Sequence, residues 1–138
     1  MKDVSLWNTS KVTDMSNLFD HAIAFNSNLS AWDVSKVTVM SGLFNNAKAF
    51  NSDLSTWNVS KVTTLHSTFA HAKLFNSDLS AWDVSKVSRM YMAFIDAKLF
   101  NSDISKWDSS RVTHLDHTFE GAAAFNSGRS IFYDVWKL

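Results

Sequence analysis

The sequence predicts an α/β solenoid: a stack of five 25-residue coils, each with one short parallel strand and one short helix. Three observations carry that expectation. Tryptophan recurs at Trp7, Trp32, Trp57, Trp82 and Trp107, always 25 residues apart. Two phenylalanine series keep the same step, Phe19, Phe44, Phe69, Phe94, Phe119 and Phe25, Phe50, Phe75, Phe100, Phe125. The apolar spacing also changes character within each unit. A fixed period of about 20–50 residues marks stacked units that bury one another's faces, so this signal outranks local ones.

The strand is expected at Leu29-x-x-Trp32-x-Val34, where Trp and Val alternate with polar residues. The helix is expected at Val37, Met40, Phe44 and Ala47, which recur at steps of three and four. A hydroxyl residue precedes that stretch in every copy, at Thr13, Thr38, Thr63, Ser88 and Thr113, and is the expected helix N-cap. Ser35 and its copies are the alternative cap. The asparagines Asn26, Asn51, Asn76, Asn101 and Asn126 follow a buried phenylalanine. Their expected task is to bond to the backbone of the turn and of the neighbouring coil. One coil alone buries too little to offset the entropy of ordering it, so stability is expected from contacts between neighbours.

Composition narrows the function. The chain has 138 residues and a formal net charge of zero, so no strong pull toward nucleic acid or an anionic membrane is expected. Cysteine is absent, which excludes disulfides and thiolate metal sites. No segment reaches the roughly 18 apolar residues of a membrane span, and residues 1–5 lack the apolar core of a signal peptide. Proline is absent and only three glycines are present, so ordinary loop punctuation is nearly missing. There is no glycine-rich phosphate loop, and the serines recur once per coil where an active site would be a single event. Neither an enzyme nor a cofactor is expected.

The run Leu29-x-x-Trp32-x-Val34-x-x-Val37-x-x-Met40-x-x-x-Phe44-x-x-Ala47-x-x-Phe50-Asn51 resembles the BspA-type leucine-rich repeats of bacterial surface proteins, with their W-D/N-V-S-x-V-T signature. The resemblance spans about residues 3–127. It implies a right-handed leucine-rich-repeat-like stack, display at a cell surface or outside the cell, and adhesion or partner binding. Two features depart from it. The anchor segments usual in such proteins do not occur in this sequence, and Thr9 and Ser109 replace the strand valine.

Candidate binding residues follow from the inward placement of Trp and Val. The residues beside them form outward columns: Asn8, Asp33, Asn58, Asp83 and Asp108; Ser10, Ser35, Ser60, Ser85 and Ser110; Lys11, Lys36, Lys61, Lys86 and Arg111. Parallel strands about 4.8 Å apart turn each series into a ladder that could grip a regular partner. The alternative is that acidic and basic columns neutralise each other on a solvated face. The most varied outward column on this reading is Leu6, Ala31, Thr56, Ala81 and Lys106. Two metal candidates are weaker. Asp53, Asp78 and Asp103 lack the glycine-rich loop that calcium coordination favours. His114-x-x-His117-x-x-Glu120 occurs once and has no third histidine nearby.

The repeat lapses after Ser127. Residues 1–127 read as the repeat array and residues 128–138 as a capping segment, with Phe132 in the tryptophan slot. The start is in register with no cap before it, so end-to-end self-association through the first coil is expected to be open. The leading expectation is a non-catalytic module binding a protein or glycan. The runner-up is a structural element that self-stacks or fills a place in a larger assembly.

Overall fold

The computed structural model describes residues 3–126. They form five stacked coils: coil 1 (4–28), coil 2 (29–53), coil 3 (54–78), coil 4 (79–103) and coil 5 (104–126). The expected α/β architecture is not what holds them together. Among the described residues there is no helix, and β-structure is confined to isolated parallel bridges linking Asp14, Val39, Thr64, Arg89 and His114.

Each coil is instead a polygon of tight turns. In coil 2 the amide of Trp32 donates to the Leu29 carbonyl (3.0 Å), Val37 to Val34 (2.9 Å) and Leu43 to Met40 (3.2 Å). Asn45 donates to Gly42 (3.1 Å), Ala47 to Phe44 (3.0 Å) and Phe50 to Ala47 (3.1 Å). Every one of these bonds spans three residues, the mark of a β-turn. Apart from the turn between Gly42 and Asn45, the turn ends are apolar positions buried in the core. Val37, Met40, Phe44 and Ala47 therefore recur at three and four for a reason other than a helix: consecutive turns place their ends at the same steps.

What forbids the helix is a pair of left-handed residues in every coil. They are Asn17 and His21, Gly42 and Asn46, Ser67 and His71, Met92 and Asp96, and His117 and Gly121, with φ between 53° and 70°. A right-handed helix cannot pass through such residues. The amides that would have made helical bonds turn outward to the next coil. Met40, Gly42, Phe44 and Asn46 donate to the carbonyls of Thr64, His66, Thr68 and Ala70, at 2.8–3.3 Å.

The expected strand at Trp32 and Val34 fails because the chain folds back twice there. Asn28 Oδ1 accepts the Ser30 amide (2.9 Å) and Asp33 Oδ1 accepts the Ser35 amide (3.0 Å). These are Asx turns, in which a short polar side chain captures the backbone two residues on. The helix-capping role expected of the hydroxyl column is likewise replaced. Thr38 Oγ1 and its amide both donate to the Thr13 carbonyl (3.3 and 2.8 Å), and Thr63 repeats this on Thr38. The column stitches coil to coil.

The core is aromatic. Trp32, Trp57, Trp82 and Trp107 are buried, whereas Trp7 is 53% exposed. Trp32 and Trp57 stack with centroids 6.5 Å apart and planes within 3°. Beside them, Phe44 stacks on Phe50 of its own coil (3.9 Å) and on Phe69 of the next (5.7 Å). Identical side chains at a fixed step fill each gap in the same way, which accounts for the uniformity of the aromatic columns. The asparagine column does what its position suggested: Oδ1 of Asn26, Asn51, Asn76 and Asn101 accepts the amide of the next asparagine, at 2.7–3.0 Å. The capping segment expected at 128–138 lies outside the described residues.

Candidate functional site

Two long faces are available, and the chain builds them differently. The first holds the Asp/Asn, Ser and Lys/Arg ladders. Asn8, Asp33, Asn58, Asp83 and Asp108 are exposed, as are Lys36, Lys61, Lys86 and Arg111, while Ser35, Ser60 and Ser85 are half-buried. The acidic column is already occupied by structural work. Asp33, Asp83 and Asp108 each accept the amide of the serine two residues on, at 3.0 Å, and Asn58 accepts that of Ser60 at 3.1 Å. A second file repeats the motif at Asp3, Asn28, Asp53, Asp78 and Asp103.

These bonds set the ionisation of the carboxylates. The Ser35 hydroxyl and amide hold Asp33 below its ordinary value of 3.8, and Lys36 adds a smaller pull. Ser85 does the same for Asp83 and Ser110 for Asp108. The acidic and basic columns do not neutralise each other by contact. Among the described residues Lys36, Lys61, Lys86 and Arg111 make no ion pair within 4.0 Å.

The second face is carried by the segment that runs through the bridges, residues 14–21 and their copies. Its columns vary from coil to coil. The bridge column reads Asp14, Val39, Thr64, Arg89, His114, five residue types in five coils. Two residues on stand Ser16, Ser41, His66, Tyr91 and Asp116, and beside them Asn17, Gly42, Ser67, Met92 and His117. The backbone under this face is nevertheless regular, because every bridge and every left-handed residue recurs at the same step. Assigning the segment to a helix hid this face. The column expected to vary most, Leu6 to Lys106, holds four residue types where the bridge column holds five. The signal was legible as variation from repeat to repeat.

On this face aromatic and basic groups gather over coils 3 to 5. His66 packs edge-on against Tyr91 (5.2 Å), and Tyr91 against His117 (6.0 Å). His117 Nδ1 also bonds Glu120 Oε2, while His114 Nδ1 bonds Thr113 Oγ1 at 2.9 Å. His114, His117 and Glu120 are thus not drawn to a common point, and no group of three metal-ligating side chains converges among the described residues. Farther along the segment, Asp96 joins Lys98 (2.9 Å) and His71 (3.3 Å), and the Lys98 ammonium holds its carboxyl below the ordinary value. An open groove of about 450 Å³ crosses coils 2, 3 and 4 between Val39, Ser41, Thr64, His66 and Arg89. No helix among the described residues is long and apolar enough to cross a membrane.

The family model described as "Mycoplasma protein of unknown function, DUF285" matches residues 1–98 and again residues 53–137. The chain belongs to the DUF285 family. The second match begins about two coils after the first, so the DUF285 pattern is itself carried by the repeat. No curated protein and no solved structure matches the chain. The residues that build the DUF285 repeat here are the tryptophans, phenylalanines, Asx-turn acids and asparagines. The bridge face varies around them.

Proposed function

We propose that this DUF285 chain is a non-catalytic binding module that presents its bridge face to a protein or glycan at a cell surface. The observation that supports it is the contrast between the two faces. The ladder columns are nearly invariant and their acids are spent on Asx turns, whereas the bridge column itself changes identity in every coil on a fixed backbone. A rigid scaffold with varied exposed side chains suits recognition, as in other stacked-repeat proteins. Placement among BspA-type surface repeats is part of the same proposal. It rests on the Trp32-Asp33-Val34-Ser35-Lys36-Val37-Thr38 signature and on the family match.

The test is a binding screen of the purified chain on arrays of surface glycans and extracellular proteins, run beside two variants. One carries His66→Ala, Arg89→Ala and His114→Ala on the bridge face. The other carries Lys36→Glu, Lys61→Glu and Lys86→Glu on the ladder face. Loss of a ligand in the first and retention in the second is expected. The reverse pattern moves the binding face to the ladder, and the absence of any ligand contradicts the module reading.

A second reading, self-stacking, is favoured by Trp7. Its ring lies parallel to Trp32 at 6.3 Å yet stays 53% exposed, and Leu18, whose copies Leu43, Thr68, Ala93 and Thr118 are buried, is 43% exposed. Another coil of the same pattern fits that surface. Sedimentation across a concentration series separates the two, since a self-stacking element grows with concentration and a monomeric binder does not.

A further inference from the structure

We infer that the groove over coils 2 to 4 is a site for an acidic sugar unit, its carboxylate held by Arg89 and its ring hydroxyls by Ser41 and Thr64. The inference rests on the bridge-face reading above and names its ligand class. Arg89 is exposed at the head of the groove and makes no ion pair within 4.0 Å among the described residues. Its guanidinium is a planar fork of donors that matches a carboxylate in bidentate fashion. A fixed backbone presents it, since Arg89 is bridged to Thr64 on one side and His114 on the other, and its carbonyl accepts the Leu65 amide at 2.9 Å.

The hydroxyls beside it are arranged in relay. The His66 amide donates to Thr64 Oγ1 (3.2 Å), and Thr64 Oγ1 lies 3.2 Å from Ser41 Oγ. With the Thr64 hydroxyl donating to Ser41 Oγ, the Ser41 hydroxyl is available to donate to a ligand oxygen, and each oxygen keeps one lone pair for a ligand hydroxyl. Next to this relay His66 and Tyr91 form an aromatic edge across two coils, a surface for the C–H face of a sugar ring. An extended acidic peptide fits less well. Peptide anchors need apolar pockets, and the groove offers Val39 as its one aliphatic side chain.

The experiment is an amide-resolved NMR titration of the full chain with three probes. They are a glucuronic-acid-terminated oligosaccharide, the same oligosaccharide with its carboxyl reduced to the alcohol, and a hexaglutamate peptide. Saturable shifts at Ser41, Thr64, Arg89 and Tyr91 are expected with the first probe, with at least tenfold weaker binding for the other two. Arg89→Gln and Arg89→Lys should each weaken the uronate at least tenfold, the first by removing the charge and the second by removing the fork. Lys61→Gln should leave it unchanged. Three results overturn the inference: no saturable shift at these amides, equal binding of peptide and uronate, or indifference to both Arg89 variants. If uronate fails here while another array ligand is lost with the bridge-face variant, only the sugar assignment falls. If array ligands depend on the ladder face instead, the bridge-face reading falls with it.

Discussion

The indole Nε1 of Trp57 donates to the carbonyl of Leu29, one coil earlier, at 3.0 Å. Trp32, Trp82 and Trp107 repeat the bond on Val4, Leu54 and Leu79 at 2.9–3.0 Å. Tryptophan at this position therefore fills the core and also satisfies a buried carbonyl on the neighbouring coil. Trp57→Ala should cost about 3–5 kcal/mol by opening a mid-stack cavity. Trp57→Phe keeps most of the volume and removes one of the two donors to the Leu29 carbonyl, the Trp32 amide remaining at 3.0 Å, and should cost about 0.5–1.5 kcal/mol. Urea unfolding of the two variants checks this, and a Phe variant as stable as the parent would show that the hydrogen bond contributes nothing.

Acid should weaken the stack. Asp3, Asp14, Asp33, Asp53, Asp78, Asp83, Asp103 and Asp108 are all held below 3.8, chiefly by bonds from the serine two residues on. A folded-state value below the unfolded one means that the unfolded chain binds more protons in that window. The added stability is present above pH about 4 and is lost as pH falls through the lowered values. Thermal melts from pH 6 to pH 2.5 should show the loss. Changing Asp33, Asp83 and Asp108 together to Asn should shrink it without disturbing the fold at pH 7, because Asn58 already makes the same turn with Ser60 at 3.1 Å. An undiminished acid loss in that variant would place its cause elsewhere.

The lysine ladder should matter little to folding. Lys36, Lys61 and Lys86 are exposed and lack ion pairs within 4.0 Å among the described residues. Changing all three to Glu should cost less than about 1 kcal/mol, through repulsion with Asp33 and Asp83 that salt screens. Denaturation at low and high salt measures it. A large loss that salt does not relieve would mean that the lysines hold contacts across the coils.

Much of this organisation was legible in the sequence. The 25-residue step, the inward Trp and Phe columns and the asparagine ladder follow from spacing and residue type, and each is present except that Trp7 of the first coil is 53% exposed. The local structure was misjudged at Val37, Met40, Phe44 and Ala47, because a β-turn and one turn of helix share a three-residue reach. Residue chemistry held the distinction. Gly42, Asn46 and Asn17 tolerate left-handed backbone, and Asp33-x-Ser35 is an Asx-turn pattern, yet Ser67 and Met92 occupy the same left-handed column with no such sign. The variation of the bridge face was visible too, but only a file of bridges at Asp14, Val39, Thr64, Arg89 and His114 shows that these residues share one surface.

The sharpest test of the turn-built coil is the stability of Gly42→Ala, measured by urea denaturation. Gly42 is left-handed, with φ of 66°, and an added Cβ would meet Asn17 Oδ1 at 2.1 Å. The turn architecture predicts a loss of about 1–2 kcal/mol from the left-handed backbone alone, with the Asn17 side chain forced to move. A helix through Val37–Ala47 predicts the opposite sign, a gain of about 1 kcal/mol on replacing an interior glycine by alanine. A destabilised variant supports five coils of tight turns, and a stabilised one would contradict them.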